Sequence, residues 1–244
     1  MRSPLSHTSS IGALPLHRQV SEALIRDIRA GILTDGTRLK PERVMAVQWG
    51  VSVGTLRKAL DHLDDLGLLK RIHGSGNYIT YSGQENELEN IYSFFRLELL
   101  QGGGLPTAEV LTAGQKARPD YLARLGPSKS GYCIRRLRRL NGMPAALEEI
   151  WLDAQRAKGL HKGQLSEALY KLYEHKFGFK ITHVEDQVGV APPPSWQPLN
   201  FGPSKSPWGW IERWSFDEYG VPAEYSQNWF NPETTRYTAR WYKR

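Results

Sequence analysis

The chain has 244 residues and carries 32 Lys and Arg against 25 Asp and Glu, a formal charge of +7 that suits a polyanionic partner without proving one. Its single cysteine, Cys133, excludes an internal disulfide, and its apolar neighbours mark it as inert core in a reducing compartment. No apolar run approaches the ~20 residues that span a bilayer, so a soluble, cytoplasmic protein without membrane contact is expected.

Residues 1–14 are rich in Ser, too weakly apolar for a secretory signal, and read as a flexible arm. Pro15 then opens a helix in which Leu16, Val20, Leu24 and Ile28 recur every four residues, with Gly31 as its stop. Thr34, Asp35 and Gly36 form a turn, and Pro41 starts a second short helix through Ala46 and Trp49 that breaks at Gly50. Ser52 is the N-cap of a third helix. Its Leu56, Leu60 and Leu63 go to a core, while Thr55, Arg57 and Lys58 stay outside near its start. Such an exposed tip is what a recognition helix puts into a major groove. Gly67 ends the helix, and Leu68 to Ile72 can pair with Asn77 to Thr80 around His73, Gly74, Ser75 and Gly76. The glycines of that turn permit positive φ and a close approach to phosphates. Three helices and a hairpin wing are complete within residues 15–81.

The polar stretch 82–89 lacks apolar periodicity and is expected to be a linker. From residue 90 to 244 the texture changes to short aromatic and branched runs. Gly102 to Gly104, Pro106, Asn141-Gly142, Pro192 to Pro194 and Tyr219 to Pro222 punctuate them, as in strands and hairpins. Leu165, Leu169, Leu172 and Tyr173 have helical spacing, and Asp120 to Leu125 is a further short helical candidate. The fold class is therefore α+β, with an antiparallel sheet carrying helices on one side. Trp210, Trp214 and Phe216 alternate, which predicts an aromatic wall on one strand face.

The first part resembles the GntR family of bacterial transcription regulators. The likeness rests on Pro15 to Val20, Arg38 to Arg43, Val51-Ser52, Thr55 to Leu60 and Gly74 to Tyr78. By that resemblance Arg43 contacts DNA, Thr55 and Arg57 face the groove, and Gly74 approaches the minor groove with His73 beside it. Arg38, Lys40, Ser52, Lys58, Ser75 and Gly76 complete the expected DNA-facing set. The family's usual Arg and Thr are replaced by Val53 and Gly54, so a base-reading arginine is missing and a different operator preference is implied.

The second part is similar to the UTRA domain of HutC-type members, through Arg136 to Arg138, Pro144 to Glu148, Leu165 to Tyr170 and Glu224 to Ser226. That resemblance implies a chorismate-lyase-like sheet with flanking helices that binds a small effector without turning it over. Physically, Arg136 and Arg138 share one face of an extended segment and form a fork suited to a phosphate or carboxylate. The resemblance gives them an anionic group to hold, and gives Glu148 and Glu224 the ligand's hydroxyls or amines. Ser166, Tyr170 and Phe230 complete the expected effector set. A two-residue turn at Asn141-Gly142 would put Glu148 opposite Arg135, on the wrong face; a longer loop or a bulge near Pro144 would restore the pocket. Serine and tyrosine of relatives are replaced by Ala168 and Phe230, which argues against a shared phosphosugar specificity.

Together these readings predict a DNA-binding transcription regulator, a homodimeric repressor of a near-palindromic operator on double-stranded DNA, controlled by a small anionic metabolite. No cofactor is expected, and no metal, since His161, His175 and His183 do not share a helix face. The alternatives are a lyase-like enzyme tethered to a DNA-binding head and an architectural DNA-binding protein without effector.

Overall fold

The computed structural model describes residues 15–29, 31–81, 94–100, 104–165, 169–198, 201–203 and 207–239. The predicted arm 1–14 and linker 82–89 lie outside the described residues, as do Ser166 and Ala168.

The head begins with helix α1, Leu16–Arg29, whose first turn closes when Arg18 and Gln19 donate their amides to the Pro15 carbonyl. Helix α2, Glu42–Trp49, follows Pro41 and stops at Gly50, whose φ of 64° is the left-handed conformation a C-terminal glycine adopts without strain. Helix α3, Val53–Asp65, is capped by Ser52, whose hydroxyl accepts the Thr55 amide at 3.0 Å. Leu56, Ala59, Leu60 and Leu63 of α3 pack with Val20, Ala23, Leu24 and Ile28 of α1 into one core. The wing pairs β1, Leu69–Ile72, with β2, Gly76–Ile79, and Tyr78 bridges back to Arg38. The first wing strand starts one residue later than the sequence suggests, and the second keeps its length but runs one residue earlier, because Ile72 already pairs with Gly76 around a three-residue tip.

The second part is built on six antiparallel strands in the order β4-β5-β6-β9-β8-β7. They are β4 Pro106–Ala117, β5 Ser130–Leu140, β6 Met143–Asp153, β7 Ile181–Ala191, β8 Trp208–Asp217 and β9 Pro222–Phe230. A small ladder joins β3, Leu97–Leu99, to β10, Thr235–Tyr237. Helix α4, Leu169–Phe177, covers the front face, where Tyr132, Ile134, Ile150, Leu152 and Tyr173 are buried together. The segment Asp120–Leu125 is a 3₁₀ helix kinked at Leu122, and it packs on the opposite face against Cys133, Trp151 and Tyr225. Helical elements therefore stand on both faces, not one. The aromatic wall forms on the back face, where Arg124 lies over both Trp214 and Phe216. Among the described residues no helix is long and apolar enough to cross a membrane.

Candidate functional site

Two surfaces collect the predicted residues. The first is the tip of α3 with the wing. Ser52, Arg57, Lys58, His73, Gly74 and Gly76 are exposed, and Thr55 and Ser75 half-buried. A concavity runs from Arg38, Lys40 and Arg43 to Arg71, His73 and Gly76, and a second joins His17, Ser52, Gly54, Thr55 and Lys58. Two of the cations are held in place. Arg38 donates to the Ser75 carbonyl and so props the wing, while Arg57 donates through Nε to Glu42 at 2.6 Å. Glu42 raises the Arg57 guanidinium above its ordinary value through that hydrogen bond and its charge. Arg71, which the sequence reading passed over, reaches Asp61 and Asp64 of α3 and ties the wing to the recognition helix. A basic residue on the strand leading into a wing was the signal available for it.

The second surface is a cavity on the front of the sheet with about 80 Å³ of free interior, room for several water-sized groups. Arg136, Arg138 and Glu148 come from the β5–β6 hairpin, Tyr170 from α4 and Glu224 from β9. These five were predicted. Their assembly depends on one residue. Asn141 and Gly142, at φ 50° and 77°, form the tight two-residue turn expected from Asn-Gly, and Arg139 faces Pro144. The register then shifts so that Arg138 faces Ala146. Ala145 is the extra residue of a bulge, and beyond it Arg136 faces Glu148. Nε of Arg136 lies 2.7 Å from Glu148, and Nη1 of Arg138 3.9 Å from the same oxygen. Arg135 faces Glu149 on the back of the sheet and pairs with it at 2.7 Å.

The two glutamates of the cavity are driven in opposite directions. Burial pushes Glu148 up, but the charges of Arg136 and Arg138 outweigh it and hold the carboxyl below its ordinary value. Burial raises Glu224; the Tyr173 hydroxyl, donating at 2.6 Å, opposes this, and the neighbouring Glu148 charge adds to it. Tyr170 lies 3.3 Å from the same carboxyl and 3.0 Å from the Ser215 hydroxyl.

Four further polar side chains line the cavity without having been predicted: Arg96, Arg213, Ser226 and Asn228. Arg213 forks onto both oxygens of Asp186 at 2.6 and 2.7 Å, and the Tyr237 hydroxyl donates to that carboxylate. Its signal was alternation: if Trp210 and Trp214 share the back face, Arg213 must face forward. Phe94, Phe95, Arg96 and Leu97 close one side. Phe230 is a correction. It does not line the cavity; it packs with Leu97, Leu99, Leu140, Ala146 and Ile211, its ring laid over Gly209. Ser166 lies outside the described residues.

Comparison with known proteins identifies the two parts of the chain. The family model for bacterial regulatory proteins of the gntR family matches residues 16–79, and that for the UTRA domain residues 101–236. The HTH-type transcriptional regulator SmoD of Agrobacterium fabrum is 44% identical over 237 residues, which cover 97% of this chain and 99% of that protein. The mannosyl-D-glycerate transport/metabolism system repressor MngR of Escherichia coli K12 is 26% identical over 234 residues, 93% of this chain and 96% of the other. Among solved structures, a ligand-binding domain ascribed to a GntR-family regulator of Bordetella bronchiseptica superposes with a TM-score of 0.53. That likeness, at 20% identity over 61% of this chain and 98% of the other, speaks for the fold alone. The chain belongs to the GntR family of bacterial regulatory proteins, with a UTRA domain behind its DNA-binding head, and is a metabolite-responsive, DNA-binding transcription regulator.

Proposed function

We propose that this regulator is a cytoplasmic, nucleoid-associated homodimeric repressor that holds a near-palindromic operator and is released by a small anionic metabolite. The observation that carries the ligand's charge is the pair Arg136 and Arg138 on the cavity floor, with Glu148 between them as an internal stand-in for an anion. A ligand anion would take over the guanidinium hydrogen bonds that Glu148 now accepts, which favours planar or tetrahedral oxyanions. Tyr170, Ser226 and Asn228 offer hydrogen bonds to the remainder of the molecule. Two copies match two half-sites by twofold symmetry, and the name of MngR as a repressor supports the direction of control.

The cavity is read as a binding site and not a catalytic one. Arg136 is paired with Glu148, Arg213 with Asp186, and Glu224 accepts from Tyr173, so each of these groups is engaged in orienting a neighbour. The test is an operator-binding titration of the full chain against intermediates of the neighbouring genes' pathway, with thermal melting of the same samples. The expected result is a saturable rise in melting temperature together with loss of operator affinity. An anion that stabilises the fold and leaves DNA binding unchanged would sink the effector reading, and product formed by pure protein would restore the enzyme.

A further inference from the structure

From Gln19 to Ile28 helix α1 is buried around its whole circumference. Beyond its apolar stripe, Gln19, Glu22, Arg26 and Asp27 are each less than a tenth exposed, whereas the polar side of a surface helix ordinarily stays in water. Arg26 shows what part of that side meets. Its Nη2 donates to the carbonyl of Gly104 at 3.3 Å, and its guanidinium carbon lies 6.0 Å from the centroid of the Phe95 ring. The next residue, Leu105, is buried in the core of the head. Gly104, Leu105 and Phe95 are all outside the head, so these contacts seat α1 on the second domain.

The same features lead to the cavity. Phe95 lines it, and the guanidinium carbon of Arg138 stands 4.7 Å from the centroid of the very ring that Arg26 approaches. Leu105 is gripped by the tip of the β5–β6 hairpin: its amide donates to Asn141 Oδ1 at 2.8 Å, and the Asn141 amide donates back to its carbonyl at 3.0 Å. One hairpin therefore carries Arg136, Arg138 and Glu148 into the cavity and holds the segment on which α1 rests.

We propose that Phe95 is the positioning residue that couples the cavity to the DNA-binding head, its ring shared between Arg138 on the ligand side and Arg26 on the head side. A guanidinium over an aromatic ring is attracted by the ring's quadrupole, the more so where water is excluded. An anion that engages Arg138 draws the guanidinium toward the ligand and off the ring. The seat of α1 weakens, and with it the orientation of α3, which shares α1's core. The ligand thus binds the undocked arrangement better than the docked one, the difference that any shift of population requires. This regulation rests on the reading of the cavity as an anion site.

The test is hydrogen exchange of the α1 amides in the full chain, read for wild type, Arg138→Gln, Phe95→Leu and the double variant, with circular dichroism melts to verify folding. Each single substitution is expected to speed α1 exchange on the order of two- to tenfold. The double variant should match Phe95→Leu alone, because without the ring Arg138 has nothing through which to reach α1. Arg138→Lys, which keeps a cation over the ring, should restore most of the protection and guards against a variant that merely folds poorly. Unchanged α1 exchange in both singles, or additive effects in the double, would overturn the coupling. Inorganic phosphate probes the underlying site separately. A wild type whose melting ignores phosphate while the exchange pattern holds loses the anion site and keeps the contact. A wild type stabilised by phosphate, with α1 indifferent to both substitutions, keeps the site and loses the coupling.

Discussion

Arg136 stands opposite Glu148 because Ala145 is squeezed out of the ladder between them and the turn. With the regular register of a two-residue hairpin, Glu148 would face Arg135 and leave through the back of the sheet. The bulge places a carboxylate and two guanidinium groups on the floor of one cavity, and the consequences of that burial can be measured.

Glu148→Gln removes the charge that the buried Arg136, 4% exposed at its side chain, pairs with. Breaking a buried pair from one side costs about 3–5 kcal/mol. The sign with pH follows from the lowered carboxyl: Glu148 stabilises the fold above the ordinary carboxylate value, and that contribution is lost as pH falls through the folded value. Urea unfolding from pH 7 downward should show a steep acid limb for the wild type and a shallower one for the variant. Inorganic phosphate should bind the variant more tightly, since its competitor for Arg136 is gone. A variant as stable as wild type at pH 7 would mean the pair is not buried as seen.

Glu224 behaves in the opposite sense. Its folded value is raised, so the fold binds the proton more tightly than the unfolded chain does. Its neutral form is favoured at low pH, and stability falls as pH rises from the ordinary carboxylate value to the raised one. Glu224→Gln should flatten that decline. Tyr173→Phe removes the 2.6 Å donor to Glu224 and should cost about 1–3 kcal/mol at neutral pH. Paired urea titrations of the two variants across pH 4–7, on the order of the carboxylate range, decide both signs.

Phe230 sits where a ligand contact was expected and is held there by Gly209. A Cβ on Gly209 would lie 2.1 Å from the Phe230 ring, far inside contact distance. Gly209→Ala should destabilise the fold by about 1–3 kcal/mol, the usual cost of overpacking. Adding Phe230→Leu should recover part of the loss, because the smaller side chain vacates the space the methyl needs. Thermal melts of the single and double variants test this, and additive losses would contradict it.

The head was legible because its signals are local. Ser52 caps α3, Gly50 ends α2, and a period of about 3.6 buries Leu56, Leu60 and Leu63, all within a few residues of one another. The cavity was legible only in part. Arg136 and Arg138 share a face by alternation alone, but whether Glu148 joins them depends on a bulge that Pro144 hints at and nothing local specifies. Arg213 reaches the same space from a strand that is distant in sequence, and its partner Asp186 lies on another. Phe95 is one of two adjacent phenylalanines, and its importance comes from two arginines 69 and 43 positions away, a relationship no periodicity encodes.

The cap of the recognition helix ties stability to binding. The Ser52 hydroxyl accepts the Thr55 amide at 3.0 Å and lies 2.8 Å from the Thr55 hydroxyl, so it fixes the first turn of α3 and the Thr55 side chain together. Ser52→Ala should lower stability by about 1 kcal/mol. Ser52→Asp should keep the cap while placing a negative charge at the groove, so it should retain stability and lose operator affinity. Equal effects of the two variants on both measurements would show that Ser52 acts through folding alone.

Arg57 and Arg38 should separate sequence reading from positioning. Arg57 projects from the first turns of α3, 65% exposed, and in the free protein its Nε is held by Glu42 at 2.6 Å. Arg38 lies under the wing and donates to the Ser75 carbonyl. If Arg57 forks onto a base, Arg57→Ala should cost on the order of tenfold in operator affinity and far less on a scrambled duplex. Arg38→Ala should weaken both duplexes alike and reduce the salt slope by about one, the behaviour of a phosphate contact. Glu42→Gln should free Arg57 and strengthen binding to both duplexes, since the DNA no longer has to displace a carboxylate. Fluorescence anisotropy with the two duplexes over a range of salt concentrations measures all three. Parallel losses for Arg57→Ala on operator and scrambled DNA would move Arg57 from base reading to the backbone and leave the specificity of this head to Val53 and Thr55.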